Sequence, residues 1–151
     1  MSDTDYMAAA LELAQIAASV GETPVGCVIV DETTGEIIAG AANEPIGKKD
    51  PTAHAEILAL RRAAEAIGNY RLKPNLALYV TLEPCAMCAG AISHARIARV
   101  VYGASDPKSG GVEQGARVWE QPQTHWKPKV TGGVEAEAAA TLLKDFFKAR
   151  R

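Results

Sequence analysis

Four stretches of the chain repeat their apolar residues every three or four positions, which is the period of an amphipathic helix. The predicted helices cover residues 4–19, 53–68, 84–93 and 135–150. Asp3 or Thr4 is expected to cap the first helix, because a short polar side chain there accepts a hydrogen bond from the first turn. Gly68 is expected to end the second helix, and Pro84 to open the third.

Strands are predicted where apolar and β-branched residues run together. These stretches are 25–31, 35–41, 76–82, 97–103 and, more weakly, 128–131. The Thr34-Gly35 turn between the first two predicts an antiparallel hairpin. The run LALYVTL at 76–82 does not alternate apolar with polar residues, so both of its faces should be covered. The expected fold is therefore α/β, a three-layer α/β/α sandwich around a mixed sheet of about five strands.

Length and composition fit one domain, covering residues 1–151. Hydrophobic residues make up 48% and charged residues 23% of the chain, which is ordinary for a globular protein. No stretch approaches the roughly 20 apolar residues of a membrane span, and the acidic, helical N-terminus is unlike a signal peptide. Three cysteines do not form a disulfide framework, so a cytoplasmic location without a membrane partner is expected.

Charge is distributed unevenly along the chain. Residues 1–50 contain nine acids against two lysines, a balance of −7, whereas residues 51–151 contain nine acids against fourteen bases, a balance of +5. The chain ends in Lys148, Arg150 and Arg151. A basic face of this kind can bind phosphate despite an acidic total, since salt screens distant charges, but solvated helix ends explain it equally well.

Candidate chemistry begins with the sequence EPCAMCAG at 83–90. Cys85 and Cys88 are spaced to hold one metal ion, and His54 stands at the start of the preceding predicted helix as Cys85 stands at the start of the next. Strand-to-helix junctions at one sheet edge would bring the three together. One imidazole and two thiolates suit zinc, and three protein ligands leave a position for water, which marks a catalytic site.

Glu56 follows His54 by two residues and lies in the first turn of the same predicted helix. From there a carboxylate can take a proton from metal-bound water and deliver it to a substrate, which is hydrolysis by metal-activated hydroxide. A redox dithiol is the less favoured alternative, because the Cys pair follows Pro84 and has a matching His-x-Glu upstream. Cys27 is expected in the core, and His94 and His125 are expected to be surface or core residues.

The pattern H-A-E at 54–56 with P-C-A-M-C at 84–88 is the established signature of zinc nucleobase deaminases, and the mechanism it implies is theirs. Longer stretches resemble the bacterial tRNA-specific adenosine deaminase family, within the cytidine/deoxycytidylate deaminase superfamily. These stretches are 43–61, 69–72, 78–110 and 142–151. The resemblance implies a cytidine deaminase-like fold and conversion of adenosine to inosine at the wobble position, 34, of tRNA. It also implies one Zn2+ per subunit and a homodimer that binds the anticodon stem-loop.

The resemblance also assigns roles to residues, with Glu56 as the proton shuttle. His54, Cys85 and Cys88 would bind zinc; Asn43 and the backbone of Ala55 would bind the base; Asp106 and Lys108 would contact the neighbouring sugar and phosphates; Phe146 and Phe147 would meet the anticodon loop. Plainer interpretations stay open for several of these. Asn43 and Asp106 could simply shape turns, and one phenylalanine ring is expected to be buried and the other exposed.

Residues 111–133 depart from the family pattern, and their two tryptophans, Trp119 and Trp126, are interpreted as core or dimer contacts. Two rival functions are weighed. A deaminase of a free base or nucleoside (guanine, cytosine or cytidine) would use the same zinc site without needing the basic C-terminus. A zinc-containing RNA-binding scaffold would have no use for Glu56.

Overall fold

The computed structural model describes residues 1–72 and 74–150, so Arg151 of the basic C-terminus lies outside the described residues. The helices are α1 Asp3–Ser19, α2 Pro45–Lys48, α3 Ala55–Ile67, α4 Ala86–Ala95 and α5 Ala136–Lys148. The strands are β1 Gly26–Asp31, β2 Ile37–Ala42, β3 Leu76–Leu82, β4 Arg99–Ala104 and β5 Lys129–Thr131. The four long helices and the five strands match the predicted elements in type and order, and the four-residue α2 was not predicted.

The strands form one mixed sheet in the order β2-β1-β3-β4-β5. Strand β1 is antiparallel to both of its neighbours, whereas β3, β4 and β5 pair in parallel. It follows that β2, β3 and β4 end at the same edge of the sheet. The predicted mixed sheet of five strands and its opening hairpin are confirmed.

Helices cover both faces of the sheet. Helices α1 and α5 pack on one face, where Met7, Val28 and Tyr79 share a small core. Helices α3 and α4 lie on the other face, over a larger core that includes Leu78 and Ile92. Truncating a buried leucine such as Leu78 to alanine costs about 2–5 kcal/mol, so this layer carries much of the stability. The three-layer α/β/α sandwich is confirmed, and no helix in the described part of the chain could cross a membrane.

Two helix starts differ from their predictions. Ser2, and not Asp3 or Thr4, caps α1: its hydroxyl accepts from the Asp5 N–H at 3.3 Å, and the Asp5 carboxylate accepts from the Ser2 N–H at 2.8 Å. Helix α4 begins at Ala86 and not at Pro84, because Cys85 keeps an extended backbone and serves as the N-cap. Gly68 caps α3 in the left-handed conformation, as predicted.

The hairpin turn is longer than predicted, and β2 starts at Ile37 instead of at residue 35. The buried carboxylate of Asp31 sets the turn by accepting from the N–H groups of Thr33 and Thr34, at 2.9 and 3.4 Å. Gly35 then adopts a φ of +75°, which a residue with a side chain rarely takes. This turn lies at the sheet edge opposite the ends of β2, β3 and β4.

Candidate active site

The predicted functional residues converge at the carboxyl edge of the sheet. Asn43 follows β2 directly, Glu83 follows β3, and Asp106 comes two residues after β4. Side chains that follow parallel strands meet at one edge, which is where ligand sites form in open α/β sheets. Helices α3 and α4 start at this edge as well, and they bring the predicted metal ligands with them.

His54, Cys85 and Cys88 form a cluster that fits a zinc ion. The imidazole Nδ1 of His54 lies 3.7 Å from the Cys85 sulfur and 3.5 Å from the Cys88 sulfur, and all the donor atoms lie within 4.8 Å of one another. Donors at the usual zinc distances of about 2.0–2.3 Å in a tetrahedron are about 3.5 Å apart. The predicted zinc-binding triad is therefore confirmed, and its three donors leave one tetrahedral position for a water molecule or substrate.

Two helix N-termini hold this cluster in place. His54 is the N-cap of α3 and Cys85 is the N-cap of α4, and neither side chain makes a capping hydrogen bond within its helix. Their donor atoms thus stay available for a metal. The positive partial charge at both helix starts favours thiolate over thiol in the cysteines.

The pKa shifts of the three side chains in this cluster favour the binding of a metal cation. Hydrogen bonds with Cys88 and, to a smaller extent, with His54 outweigh the effect of burial and together lower the pKa of the Cys85 thiol to about 4. The hydrogen bond between the two cysteines raises the pKa of Cys88, which retains its proton beside the Cys85 thiolate. The bond with Cys85 also raises the pKa of His54. A zinc ion would replace the Cys88 proton, so the affinity for the metal should increase with pH.

Glu56 lies beside this cluster in the first turn of α3, with only 4% of its surface exposed. Burial raises the pKa of its carboxyl group to about 7, and the negative charge on Cys85 contributes to the increase. A carboxyl group with such a pKa exchanges a proton readily at neutral pH, the property a general acid–base needs. The structure places Glu56 where the sequence predicted it.

A cavity of about 260 Å³ opens directly over the cluster. Its walls come from the segments that follow β2, β3 and β4 and from the segment before β1. The lining residues are Thr23, Val25, Asn43, Pro45, His54, Glu56, Leu82, Glu83, Cys85, Asp106 and Ser109. The volume lies just below the roughly 300–1,000 Å³ typical of small-molecule sites, which suits a ligand as small as a single nucleobase.

Asn43 and Ala55 occupy positions suited to binding a base. Asn43 is buried, lines the cavity, and donates its backbone N–H to the Val25 carbonyl at 2.9 Å. Ala55 is the first residue of α3, so its N–H belongs to the turn that has no acceptor inside the helix. The predicted contacts of both residues with a base stay predictions.

Asp106 shapes a turn, as the plainer interpretation proposed. Its carboxylate accepts from the N–H groups of Lys108 and Ser109, at 3.2 and 3.0 Å. Asp106 and Ser109 both line the cavity, whereas Lys108 lines a second, larger groove beside it. Contacts of Asp106 and Lys108 with a sugar or phosphate stay predictions.

The second groove has a volume of about 920 Å³ and shares Thr23, Leu82, Asp106 and Ser109 with the cavity. Its far wall is formed by Ala140, Leu143, Lys144 and Phe147 of α5 and by Arg150, which follows the helix. Phe146 is buried at 8% exposure and Phe147 is 49% exposed, so the predicted division between the two rings is confirmed. The groove thus joins the metal cavity to the C-terminal part of the chain, which contributes Lys144, Arg150 and an exposed aromatic ring to its lining.

The sequence prediction missed Glu83, the most heavily hydrogen-bonded side chain at this edge. Only 2% of its surface is exposed, and it accepts four backbone N–H bonds and one hydroxyl bond. The donors are Ser105, Asp106, Val112, Glu113 and Gln114. Burial alone raises the pKa of Glu83, but the backbone bonds outweigh it and hold the pKa below its usual value. The available signal was an acid placed directly after a buried apolar strand.

The two tryptophans attach residues 111–133 to α4 and to the segment that follows it. The indole N–H of Trp119 donates to the Ala89 carbonyl at 2.9 Å, and that of Trp126 donates to the Ile97 carbonyl at 2.7 Å. Trp119 is buried in the larger core, which confirms the core interpretation for that residue. Cys27 is also buried there, as predicted.

Comparisons with known proteins agree with this site. The family model of the cytidine and deoxycytidylate deaminase zinc-binding region matches residues 1–104. The tRNA-specific adenosine deaminase of Agrobacterium fabrum is 47% identical over 148 residues, covering 98% of this chain and 95% of that protein. The protein of the same name from Haemophilus influenzae is 50% identical over 149 residues, covering 99% of this chain and 85% of that protein.

A solved structure agrees as well. It comes from a study of A-to-I editing by tRNA:A34 deaminases at the wobble position of transfer RNA, and it is 48% identical to this chain. The TM-score is 0.89, and the match covers 93% of this chain and 99% of that one. The fold and the metal site thus define a zinc protein of the cytidine and deoxycytidylate deaminase class. Within this class the chain belongs to the tRNA-specific adenosine deaminase family.

Proposed function

We propose that this protein, acting through one deaminase domain of residues 1–151, hydrolyses adenosine to inosine at the wobble position, 34, of tRNA. The observation that carries the proposal is the buried Glu56 carboxyl group beside a three-donor metal site, at the base of a cavity sized for one base. The relatives that match nearly the whole chain are tRNA-specific adenosine deaminases, which supports this substrate.

Glu56 moves the protons in this proposal. A zinc ion held by His54, Cys85 and Cys88 would lower the pKa of a water molecule toward about 7 and so supply a nucleophile at neutral pH. Glu56 takes the proton released by that water and donates it to N1 of adenine while C6 is attacked. Glu56 then takes the remaining proton from the new C6 hydroxyl group and passes it to the exocyclic amino group, which leaves as ammonia as the C6 carbonyl of inosine forms. A pKa near 7 suits both the accepting and the donating step.

The cavity walls hold the adenine in this orientation. The Asn43 side chain and the Ala55 N–H bind the edge of the base, and their enclosure excludes bulk water from the reacting atoms. A base must leave its stack to enter such a cavity, at a cost of a few kcal/mol. An unpaired anticodon loop keeps that cost small, which favours a wobble base over one in a duplex.

The groove along α5 accommodates the rest of the anticodon stem-loop. Lys108, Lys144 and Arg150 line it with positive charge, and Phe147 presents a ring on which a base can stack. Replacing Phe147 by alanine should weaken stem-loop binding about 10- to 100-fold, because stacking on an aromatic ring contributes about 1–3 kcal/mol per base. Fluorescence titration with a labelled anticodon stem-loop measures this effect.

Phe146 is the matched control for that experiment. Its ring is buried, so Phe146→Ala should lower the free energy of unfolding by about 3 kcal/mol. Phe147→Ala should leave the melting temperature close to that of the wild type. Equal RNA affinity in the wild type and in Phe147→Ala would remove the groove from the proposal.

A homodimer is part of the same proposal. It is supported by an apolar groove of about 440 Å³ between α3 and α4, lined by Leu60, Ala64, Tyr70 and Ala91 among others. Tyr70 is 74% exposed in the single chain, and a second copy of the chain would cover it. Light scattering should give twice the chain mass, and Tyr70→Asp should shift it to the monomer. A wild-type monomer at micromolar concentration would contradict the dimer.

A cytoplasmic location also belongs to the proposal. Cys27, Cys85 and Cys88 are all free thiols, and the two that bind zinc need a reducing compartment to stay so.

The proposed reaction is tested with the zinc-loaded protein and unmodified tRNA that carries adenosine at position 34. The nucleosides are then analysed for inosine, and free adenosine, cytidine, guanine and cytosine are assayed in parallel. Inosine at position 34 with little turnover of the free compounds is expected. Ammonia released from a free base while the tRNA stays unchanged would keep the zinc chemistry and overturn the substrate.

A further inference from the structure

Glu83 lies between the metal ligands and the wall of the cavity that faces a substrate. It follows β3 directly and precedes Cys85 by two residues, and it is buried. The reaction described above uses Glu56 for every proton transfer, so a second buried carboxylate at the same cavity needs its own explanation.

The Glu83 carboxylate holds both ends of one loop, residues 105–114. Its Oε1 accepts from the Asp106 N–H at 3.0 Å and from the Ser105 hydroxyl at 3.4 Å. Its Oε2 accepts from three consecutive N–H groups, at 3.2, 2.9 and 3.1 Å; the donors are Val112, Glu113 and Gln114. Since Asp106 and Ser109 of this loop line the cavity, Glu83 fixes the wall that they form.

Backbone contacts press the same loop onto the segment that carries the metal ligands. The Gly111 N–H donates to the Pro84 carbonyl at 2.8 Å, and Gly110 forms an antiparallel bridge with Cys85. A Cβ atom on Gly110 would lie 2.7 Å from the Glu83 carboxyl carbon, which leaves no room for a side chain. The loop and the start of α4 are therefore joined at Cys85 and at Glu83.

We propose that Glu83 is a positioning residue for the deamination, holding loop 105–114 against the start of α4 so that the substrate wall keeps a fixed distance from the metal ligands. The inference rests on the proposed function. Without the carboxylate the Asp106–Ser109 turn would shift relative to Cys85. A displacement of about 1 Å in a substrate-holding group can lower the rate about 100-fold.

Glu83→Gln is the direct test, because it keeps the size of the side chain and one acceptor oxygen. The amide oxygen can still accept from Val112, Glu113 and Gln114. The amide NH2 then faces the Asp106 N–H, and because both groups are donors, that hydrogen bond is lost. Asp31→Asn is the matched control. Asp31 is also a buried carboxylate that accepts two backbone N–H bonds in a turn, but it lies at the opposite sheet edge.

Three readouts separate positioning from a general loss of stability. Zinc content should equal that of the wild type in both variants. The kcat/KM for a wobble-adenosine stem-loop should fall about 10- to 100-fold in Glu83→Gln and stay within about twofold in Asp31→Asn, even where both variants lose similar melting temperature. Hydrogen exchange of peptides covering 105–110 should accelerate in Glu83→Gln alone.

A Glu83→Gln protein with full zinc, wild-type kcat/KM and unchanged exchange at 105–110 would overturn the inference. If wild-type protein forms no inosine, the proposed function fails, and the exchange comparison still decides whether Glu83 holds the loop. If Glu83→Gln does not fold, Ser105→Ala removes one of the five bonds at an exposed position, together with the bond that the Ser105 hydroxyl accepts from the Gln114 side-chain amide within the same loop. It should raise KM about two- to fivefold and accelerate exchange at 105–110, and no change in either would overturn the inference.

Discussion

Glu56 and Asp3 are carboxylates at opposite ends of the sheet, and their surroundings shift their pKa values in opposite directions. Asp3 forms two hydrogen bonds with the Arg99 guanidinium, at 2.9 and 2.6 Å, and accepts a third from the Tyr79 hydroxyl at 2.6 Å. The bonds with Arg99 lower the pKa of Asp3, although partial burial opposes them. For Glu56 burial is the largest influence and raises the pKa to about 7, although the nearby His54 opposes the increase.

The difference separates residues that stabilise the fold from those placed for chemistry. The charge on Asp3 is compensated, so it attaches the start of α1 to the first residue of β4 and stabilises the fold. The charge on Glu56 is buried and costs stability, which a protein tolerates where a proton must move. Two carboxylates of similar chemistry thus have opposite effects on the free energy of unfolding.

Removing the metal should have the largest effect, on both activity and the free energy of unfolding. A chelator should abolish inosine formation and lower the free energy of unfolding by about 4 kcal/mol if zinc had been present at about 1,000 times its Kd. Adding zinc back should restore both. Thermal melts with and without chelator, combined with the inosine assay, measure these changes.

The contribution of Asp3 to stability should not depend on the metal. The loss of stability in Asp3→Asn should be the same in zinc-loaded and metal-free protein, since distant sites contribute independently. A loss that depends on zinc would show that the two ends are coupled, contrary to this account.

Replacing Glu56 by glutamine should stabilise the metal-free protein above neutral pH. Between its ordinary pKa of 4.5 and the folded value of about 7, Glu56 binds more protons in the folded than in the unfolded state. The wild type therefore loses stability relative to Glu56→Gln as pH rises through this window. At pH 8 the variant should be more stable by about 1–3 kcal/mol, and at pH 4 the difference should vanish.

Denaturant unfolding of both metal-free proteins at the two pH values checks this prediction. The negative charge of Glu56 contributes to the raised pKa of His54, so the measured difference includes this coupling. A wild type that gains stability over the variant as pH rises would show that the Glu56 charge is compensated in the fold.

Asp3→Asn should have the smallest effect and the opposite sign. The folded pKa of Asp3 lies below 3.8, so its contribution is present above that pH and disappears as pH falls through the folded value. At pH 7 the loss should be about 1 kcal/mol, as for a partly exposed ion pair. Urea titrations at pH 7 and at acid pH measure it. A larger loss at acid pH than at pH 7 would reverse the assigned sign.

The fold was predictable where one physical rule decided each element. The unbroken apolar run at 76–82 required cover on both faces, and it lies between two helical layers. The triad was predictable because His54 and Cys85 each precede a helix at one sheet edge. The predicted start of α4 at Pro84 was wrong. Proline is common at the first helical position, but here Cys85 adopts the extended backbone of the N-cap and the helix begins after it.

Other features could not be predicted, because they depend on contacts that leave no pattern of side chains in the sequence. Helix α2 has four residues, too few to show a period. The partners of Glu83 are mostly backbone N–H groups in residues 106–114, and every residue except proline carries one. The groove beside the cavity needs α5 placed against residues 105–109, which only the assembled fold provides.

The most direct test of the central claim is inosine formation by zinc-loaded Glu56→Gln, compared with wild type at matched zinc content. The account predicts that the variant retains zinc and binds the anticodon stem-loop. It also predicts that the variant forms inosine at least about 1,000-fold more slowly, because the group that transfers each proton is gone. A variant with full zinc and a rate within tenfold of the wild type would contradict the role of Glu56.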